Sequence, residues 1–263
     1  MNDDKGYLDR GAVGRASIER LLPADWIWGG KTVLDFGCGA GSTLRAFVDH
    51  TATNQFWGVD IHRPSIEWCQ VHLDPPLHFA ISEATPPLPF DQERFDLVYA
   101  ISVFTHLTTH WAGWLLELHR VLRRGGLLVA TFMGEAMSTG VAGEPWVEDQ
   151  VGMNVYEAGQ DWDLGGPMVL HSPWWLREHW GRLFEVSELL PRGFAGDARS
   201  FGQHDHGAVV LRKTEKVSSF DELIRPARNE PREAIALLHE VDHLRAEVAA
   251  LRQERGIDSS SSV

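Results

Sequence analysis

The chain has 263 residues, 43% of them hydrophobic, and carries 24 basic against 37 acidic side chains, a formal net charge of -13. A chain of this length can bury one sizeable core, and its acidic balance, without a basic cluster, argues against a nucleic-acid partner. No apolar leader and no run of about eighteen apolar residues is present, which argues against secretion and a membrane role, so we expect a cytoplasmic protein.

Apolar runs of strand length alternate with helical patterns from about residue 31 to 132, which is typical of βαβ units around a parallel sheet. The predicted strands are KTVLDFG, QFWGVDI, LHFAIS, FDLVYAIS and GLLVATFM, with helices STLRAFVDH, PSIEWCQVHL and HWAGWLLELHRVL among them. Two later strands, FEVSELL and HGAVVLRK, are expected to pair antiparallel at an edge. Between the two sets, Ser172 and Pro173 have the residue types of a helix N-cap and first helical position.

Composition and pattern divide the chain into a main domain with appendages. The segment that follows the fifth strand is rich in glycine, acid and tryptophan, and we interpret it as an insertion beside the carboxyl edge of the sheet. The predicted units are an N-terminal helical lid (1–30), the main domain (31–213) with its acceptor-side insertion (134–171), a linker (214–232), a C-terminal helix (233–256) and a disordered tail (257–263).

The C-terminal helix carries a heptad pattern. Its apolar residues recur at alternating spacings of three and four, at Ala234, Leu237, Val241, Leu244, Val248 and Leu251. The pattern fits two structures equally well: an amphipathic helix packed on its own domain, or a coiled coil that joins two copies into a homodimer.

A glycine loop follows the first strand in VLDFGCGAGSTL. Glycines between a strand and a helix let the backbone approach a ligand at the helix amino terminus. The spacing is GxGxG, and Ser42 stands where a dinucleotide-binding loop has its third glycine. Asp35 precedes the loop, and its carboxylate suits a cationic ligand better than a pyrophosphate. Asp60, at the end of the second strand, can accept hydrogen bonds from a ribose diol.

These segments, together with PPLPFDQERFDLVYAISVFTHL and LHRVLRRGGLLVATF, resemble the class I S-adenosylmethionine-dependent methyltransferases of the type 11/25 kind from about residue 7 to 213. The resemblance implies a Rossmann-like, doubly wound, mostly parallel seven-stranded sheet with an antiparallel last strand, followed here by the amphipathic helix. It implies S-adenosylmethionine as cofactor, leaving S-adenosylhomocysteine as product. By resemblance, the cofactor-binding residues are Asp35, Gly37, Cys38, Gly39, Asp60, Ile61, Glu83, Ala84 and Ser102.

Methyl transfer from a sulfonium is an in-line displacement, and a hydroxyl acceptor must also lose a proton. Histidine suits that task near neutral pH. The first candidate base is His106, which the resemblance brings to the methyl-transfer face, and the second is His171. A metal is not expected, because on a strand His204 and His206 share a face that Asp205 does not.

Tryptophans and acids cluster in and after the insertion, a composition that suits stacking on sugar rings. The predicted acceptor-binding residues are Trp162, Asp163, Trp174 and Trp175. We therefore expect methylation of a hydroxyl on a saccharide or other small polyhydroxylated acceptor, as in bacterial polysaccharide or glycoside biosynthesis. The alternative functions are N- or C-methylation of a small metabolite, or a non-catalytic cofactor-binding scaffold. The alternative role for the tryptophans is to fill a small core in the insertion.

Overall fold

The computed structural model describes residues 4–160, 166–196 and 206–254. The helices are α1 (Asp4–Leu21), α2 (Ser42–Arg45), α3 (Arg63–His72), α4 (Trp111–Val121), α5 (Ser138–Ala142), α6 (Pro173–His179), α7 (Phe220–Ile224) and α8 (Arg232–Glu254). The strands are β1 (Thr32–Phe36), β2 (Gln55–Asp60), β3 (His78–Ile81), β4 (Phe95–Ala100), β5 (Leu122–Phe132), β6 (Met153–Tyr156), β7 (Met168–His171), β8 (Phe184–Leu190) and β9 (Gly207–Lys213).

Seven strands form one sheet in the order β3-β2-β1-β4-β5-β9-β8. The first five are parallel, whereas β9 runs antiparallel to both β5 and β8. The predicted fold class is confirmed, including the antiparallel strand. The strand order reverses between β1 and β4, and the crevice at such a reversal is where open α/β sheets bind ligands.

The sheet is buried on both faces, which explains why its strands appear as continuous apolar runs. All five residues of β1 are buried. Leu34 and Phe36 pack into the core beneath α4 and α6, while Val33 packs into the core beneath α1 and α3. The alternation follows from the two-residue period of a strand. It holds the end of β1, and the loop beyond it, between two rigid layers.

The insertion contains regular structure that the sequence pattern did not predict. Its strands β6 and β7 pair antiparallel, with Met153 opposite His171, and a small apolar cluster around Tyr156 and Leu170 lies beneath them. The backbone N–H of Val169 donates to the carbonyl of Thr105 at 2.8 Å. This hydrogen bond joins the insertion to the loop after β4.

The C-terminal part packs back on the domain. The predicted linker includes α7, which begins with a capping box between Ser219 and Glu222 and buries Leu223 completely. Helix α8 then contacts the turn at 148–150 and β6. Among the described helices, none is long and apolar enough to cross a bilayer.

Candidate active site

The glycine loop lies where β1 meets the crevice. Gly37, Gly39 and Gly41 have φ of 80°, 52° and 73°, in the left-handed region that glycine adopts without strain. A Cβ on Gly37 would overlap with the side chain of Val103, whereas one on Gly39 would meet nothing within 4 Å. The loop thus presents bare backbone at Gly39 to a cavity of about 280 Å³ beside the crevice.

Cys38 belongs to the packing beneath this loop. Its side chain is 8% exposed, and its sulfur lies so close to Gly58 of β2 that a Cβ there would come within 2.8 Å of it. Burial raises the pKa of the thiol well above its usual range. The side chain of Cys38 therefore belongs to the core, and the residue can contact a ligand through its backbone.

Asp60 ties the loop to the end of β2. Its carboxylate accepts hydrogen bonds from the backbone N–H of Gly39 at 2.7 Å and of His62 at 2.8 Å. An ionised carboxylate has about four acceptor sites. Asp60 can therefore hold the loop and still accept from ligand hydroxyls.

Seven of the residues predicted for the site line one cavity of about 750 Å³ at the carboxyl ends of the strands. They are Gly37, Asp60, Ile61, Glu83, Ala84, Ser102 and His106. The side chain of Ile61 is half exposed into this space, and Ala84 is held by a 3.3 Å hydrogen bond from Trp114 Nε1 to its carbonyl. The structure therefore brings together residues from four separate segments of the chain.

Ser102 has a backbone conformation unusual for its residue type. Its φ is 59°, and its N–H donates to Thr131 Oγ1 at 2.7 Å. Non-glycine residues with positive φ are uncommon and cluster at ligand sites. This hydrogen bond to Thr131 of β5 explains how the conformation is held at the cavity wall.

Asp35 lies in a neighbouring cavity of about 280 Å³ beneath α1, and Gly37 lines both cavities. The carboxyl is 3% exposed. Burial raises its pKa well above the usual range, and the nearby charge of Asp60 raises it further, against the opposing effect of the Tyr99 hydroxyl. A cationic ligand would favour the ionised form of Asp35.

Helix α1 covers this second cavity. Tyr7 and Arg10 line it, and the Tyr7 hydroxyl donates to the carbonyl of Ala40 in the glycine loop at 2.9 Å. The N-terminal segment expected to be a lid therefore lies directly over the loop. Whether it opens stays a prediction.

His106 faces the main cavity from the loop after β4. Its Nδ1 lies 2.8 Å from the carbonyl oxygen of Pro167 in the insertion. A carbonyl oxygen only accepts, so Nδ1 carries the hydrogen, and in the neutral ring Nε2 has the lone pair. The insertion thereby fixes the ring in the tautomer in which Nε2 is basic.

The placement of His171 argues against its predicted role as a base. It is fully buried, is absent from the walls of the main cavity, and within the described residues neither ring nitrogen has a hydrogen-bond partner. Burial lowers its pKa to about 3. An imidazole this weakly basic and this inaccessible cannot take a proton from an acceptor at neutral pH.

Trp174 and Trp175 also lie away from the cavity, which argues against the predicted acceptor platform. They are 5% and 6% exposed. Trp174 donates from Nε1 to the carbonyl of Glu148 and packs beneath Arg232 of α8, while Trp175 stacks on His179 at 4.3 Å. Both rings pack α6 against neighbouring segments. Trp162 and Asp163 lie outside the described residues.

The cavity wall also includes residues that the sequence did not assign to the site. They are His62, Ser82, Leu107, Thr108, Thr109, His110, Trp114, Ala158, Gln160 and Pro167. Leu107 ends one quoted segment, His110 begins the next, and Thr108 and Thr109 lie between them, so these four could have been inferred from their position. Ala158, Gln160 and Pro167 could not, because they reach the cavity only through the fold of the insertion. Within the described part of the chain, no group of three or more His, Cys, Asp or Glu could hold a metal ion.

Residues 34–130 match the family model described as a methyltransferase domain. Among curated proteins, the phthiotriol/phenolphthiotriol dimycocerosates methyltransferase 1 of Mycobacterium ulcerans is 36% identical over 103 residues, which are 39% of this chain and 37% of that protein. The match thus spans little more than a third of the relative's length.

Solved structures extend the likeness to most of the chain. A methyltransferase in complex with the Trm112 activator of Haloferax volcanii aligns with a TM-score of 0.56 and 18% identity, over 82% of this chain and 95% of that one. An S-adenosylmethionine-dependent methyltransferase of Mesorhizobium loti gives a TM-score of 0.56 at 16% identity, over 78% of this chain and all of the other. At such identities the likeness establishes the fold. Residues 34–130 therefore resemble a methyltransferase domain, and the cofactor that this resemblance implies is S-adenosylmethionine.

Proposed function

We propose that the protein transfers a methyl group from S-adenosylmethionine to a hydroxyl of a small polyhydroxylated acceptor, a sugar or glycoside. The observation that carries the proposal is the single cavity in which Asp60 and His106 both lie. The carboxylate proposed to bind the cofactor and the histidine whose Nε2 has the lone pair therefore face the same space.

The residues present fit the cofactor. Asp60 offers acceptor sites to ribose hydroxyls, the Gly39 backbone leaves room for close approach, and the buried carboxyl of Asp35 suits the cationic methionine end. When bound, S-adenosylmethionine supplies an electrophilic methyl group on a sulfonium. The chain itself supplies alignment, and positioning of this kind contributes much of the rate of a displacement reaction.

His106 is the proposed general base. The carbonyl of Pro167 holds its Nδ1–H, so Nε2 can accept the proton that the acceptor oxygen loses as it attacks. The same carbonyl then stabilises the imidazolium that forms, because it already accepts from Nδ1. The oxygen becomes more nucleophilic as its proton leaves, which lowers the barrier to attack.

The side chains around His106 support a hydroxylated acceptor. Thr108, Thr109, His110 and Gln160 line the same cavity as His106, and each can both donate and accept hydrogen bonds, as a hydroxyl requires. The curated relative named above acts on phthiotriol and phenolphthiotriol dimycocerosates. Hydroxylated lipids therefore belong in the acceptor panel beside the glycosides.

The test is transfer of a labelled methyl group from S-adenosylmethionine to a panel of glycosides, hydroxylated lipids and amines. We expect transfer to a hydroxyl, with His106→Ala lowering kcat by about 10²- to 10⁴-fold while S-adenosylhomocysteine binding is retained. His72→Ala, which removes an exposed histidine on α3, is the matched control and should leave kcat unchanged.

The other outcomes separate the alternatives. Methylation of an amine or a carbon that survives His106→Ala would favour N- or C-methylation. Tight binding of the cofactor product without transfer to any acceptor would favour a non-catalytic scaffold.

A further inference from the structure

Helix α8 exposes a row of apolar side chains to solvent. Leu237, Val241, Val248 and Leu251 are 48%, 42%, 47% and 47% exposed, and Leu238 beside them is 67% exposed. These residues include most of the heptad positions recognised in the sequence. A row of exposed valines and leucines along one helix is a feature of interaction surfaces.

A neighbouring face of α8 is held by the domain. The carboxylate of Glu233 lies 3.2 Å from His179 Nε2, Glu240 accepts from the N–H of Val155 at 2.9 Å, and His243 packs on Tyr156 at 4.6 Å. These contacts fix the rotation of the helix about its axis. The heptad residues consequently lie on its flank, roughly a third of a turn from the packed face, where a second helix can approach.

The heptad residues themselves specify a pair of parallel helices. The a positions are Ala234, Val241 and Val248, and the d positions are Leu237, Leu244 and Leu251. Branched residues at a with leucine at d favour two-stranded parallel coiled coils. Three consecutive a–d steps are short for an isolated coiled coil, but here the domain already holds the helix, which lowers the entropic cost of pairing.

The charges beside this seam select the same orientation. The g positions at 240 and 247 are both glutamate, and the e positions at 245 and 252 are both arginine. In a parallel pair, a g residue faces the e residue five positions later in the other helix, so Glu meets Arg. In an antiparallel pair g faces g and e faces e, which would oppose like charges. Since Glu240 already bonds to Val155, Glu247 with Arg252 is the pair available to a second copy.

We propose that α8 binds α8 of a second copy of this chain, parallel and in register, through the seam from Ala234 to Leu251. Two domains then lie at the same end of the coiled coil, related by a twofold axis along it. An anionic membrane is a poor alternative occupant, because α8 has more carboxylates than basic groups and the whole chain is strongly acidic.

Light scattering of the full chain in the micromolar range tests the surface. We expect the mass of a dimer, and Val248→Asp should reduce it to that of a monomer, because a carboxylate at an a position would be buried between the helices. Gln253→Glu adds a carboxylate at an exposed position off the seam and should leave the dimer intact. A monomeric wild type, or a dimer that survives Val248→Asp, would overturn the proposal.

An exchange of charges tests the orientation. Glu247→Arg alone opposes two arginine pairs in a parallel dimer, and Arg252→Glu alone opposes two glutamate pairs, so each should raise the dimer Kd by on the order of tenfold. An equimolar mixture of the two variants restores both attractive pairs and should associate as tightly as the wild type. If the mixture associates no better than either variant alone, the parallel in-register arrangement is wrong.

Discussion

The imidazole of His171 lies fully buried beside the rings of Trp175 and Trp180, with centroids 5.5 and 6.1 Å away. Its pKa of about 3 lies below the unfolded value of 6.5, and burial is the cause. A depressed histidine pKa means that the unfolded chain binds the proton first as the pH falls. The neutral ring therefore stabilises the fold fully above pH 6.5, and this contribution is lost as the pH falls towards 3.

We predict that His171→Phe removes this part of the acid sensitivity. Since one pKa unit corresponds to about 1.4 kcal/mol, the wild type should lose about 2.5 kcal/mol more unfolding free energy than the variant between pH 7.5 and 4.5. Urea denaturation at the two pH values measures the difference. His72→Phe, at an exposed position, is the control, and equal losses in wild type and His171→Phe would contradict the account.

The position of His171 was harder to predict from the sequence than the positions of Asp60 and His106. Asp60 could be assigned because it is the last residue of β2, and His106 because the family resemblance brings the loop after β4 to the crevice; both residues line the cavity there. His171 also ends a strand, but that strand, β7, pairs with β6 outside the main sheet. Sequence position could not show which sheet β7 joins, and that decides whether the ring meets the cavity.

At the scale of elements, α1 approaches α2 through glycines. A Cβ on Gly11 would overlap with the carbonyl oxygen of Ser42, and one on Gly14 would come within 2.6 Å of Thr43 Oγ1. These contacts place α1 against the start of α2, next to the glycine loop. The helix can lie this close only because both positions lack a side chain.

We predict that Gly11→Ala destabilises the fold by about 1–3 kcal/mol and weakens S-adenosylhomocysteine binding, because α1 must move away from the loop it covers. Gly140→Ala in α5 is the control, since a Cβ there meets nothing within 4 Å and alanine is the better helix former. Urea denaturation and calorimetry measure the two effects. Equal unfolding free energies and equal S-adenosylhomocysteine affinities for the two variants would contradict this packing of α1.

The elements of the main sheet were predictable because each buried strand is a distinct apolar run. The strands β6 and β7 have only four residues each, MNVY and MVLH, too few to establish a two-residue alternation. Their pairing is also non-local, since residues 157–167 lie between the two strands. Helix α7 has only five residues, too few for a helical apolar pattern, although its capping box between Ser219 and Glu222 is visible in the sequence.

At the scale of the whole molecule, the alternation of strands and helices predicts a parallel sheet but does not order its strands. The order β3-β2-β1-β4-β5-β9-β8 comes from the structure. This order positions the candidate site, because it sets Asp60 on β2 and the loop after β4 on either side of β1. The sequence did not determine whether α8 packs over the insertion, because its heptad pattern suits packing on the domain and pairing with a second copy equally well.

Calorimetry with S-adenosylhomocysteine tests the central claim, that the crevice beyond β1, β2 and β4 is a cofactor site. We expect binding to the wild type, with Asp60→Ala weakening it by about 10- to 100-fold, as the loss of charge-assisted hydrogen bonds of about 1.5–3 kcal/mol implies. Asp91→Ala, at an exposed position away from the cavity, should bind like the wild type. Folded protein that gives no binding heat, or an Asp60→Ala variant that binds as tightly as the wild type, would contradict the account.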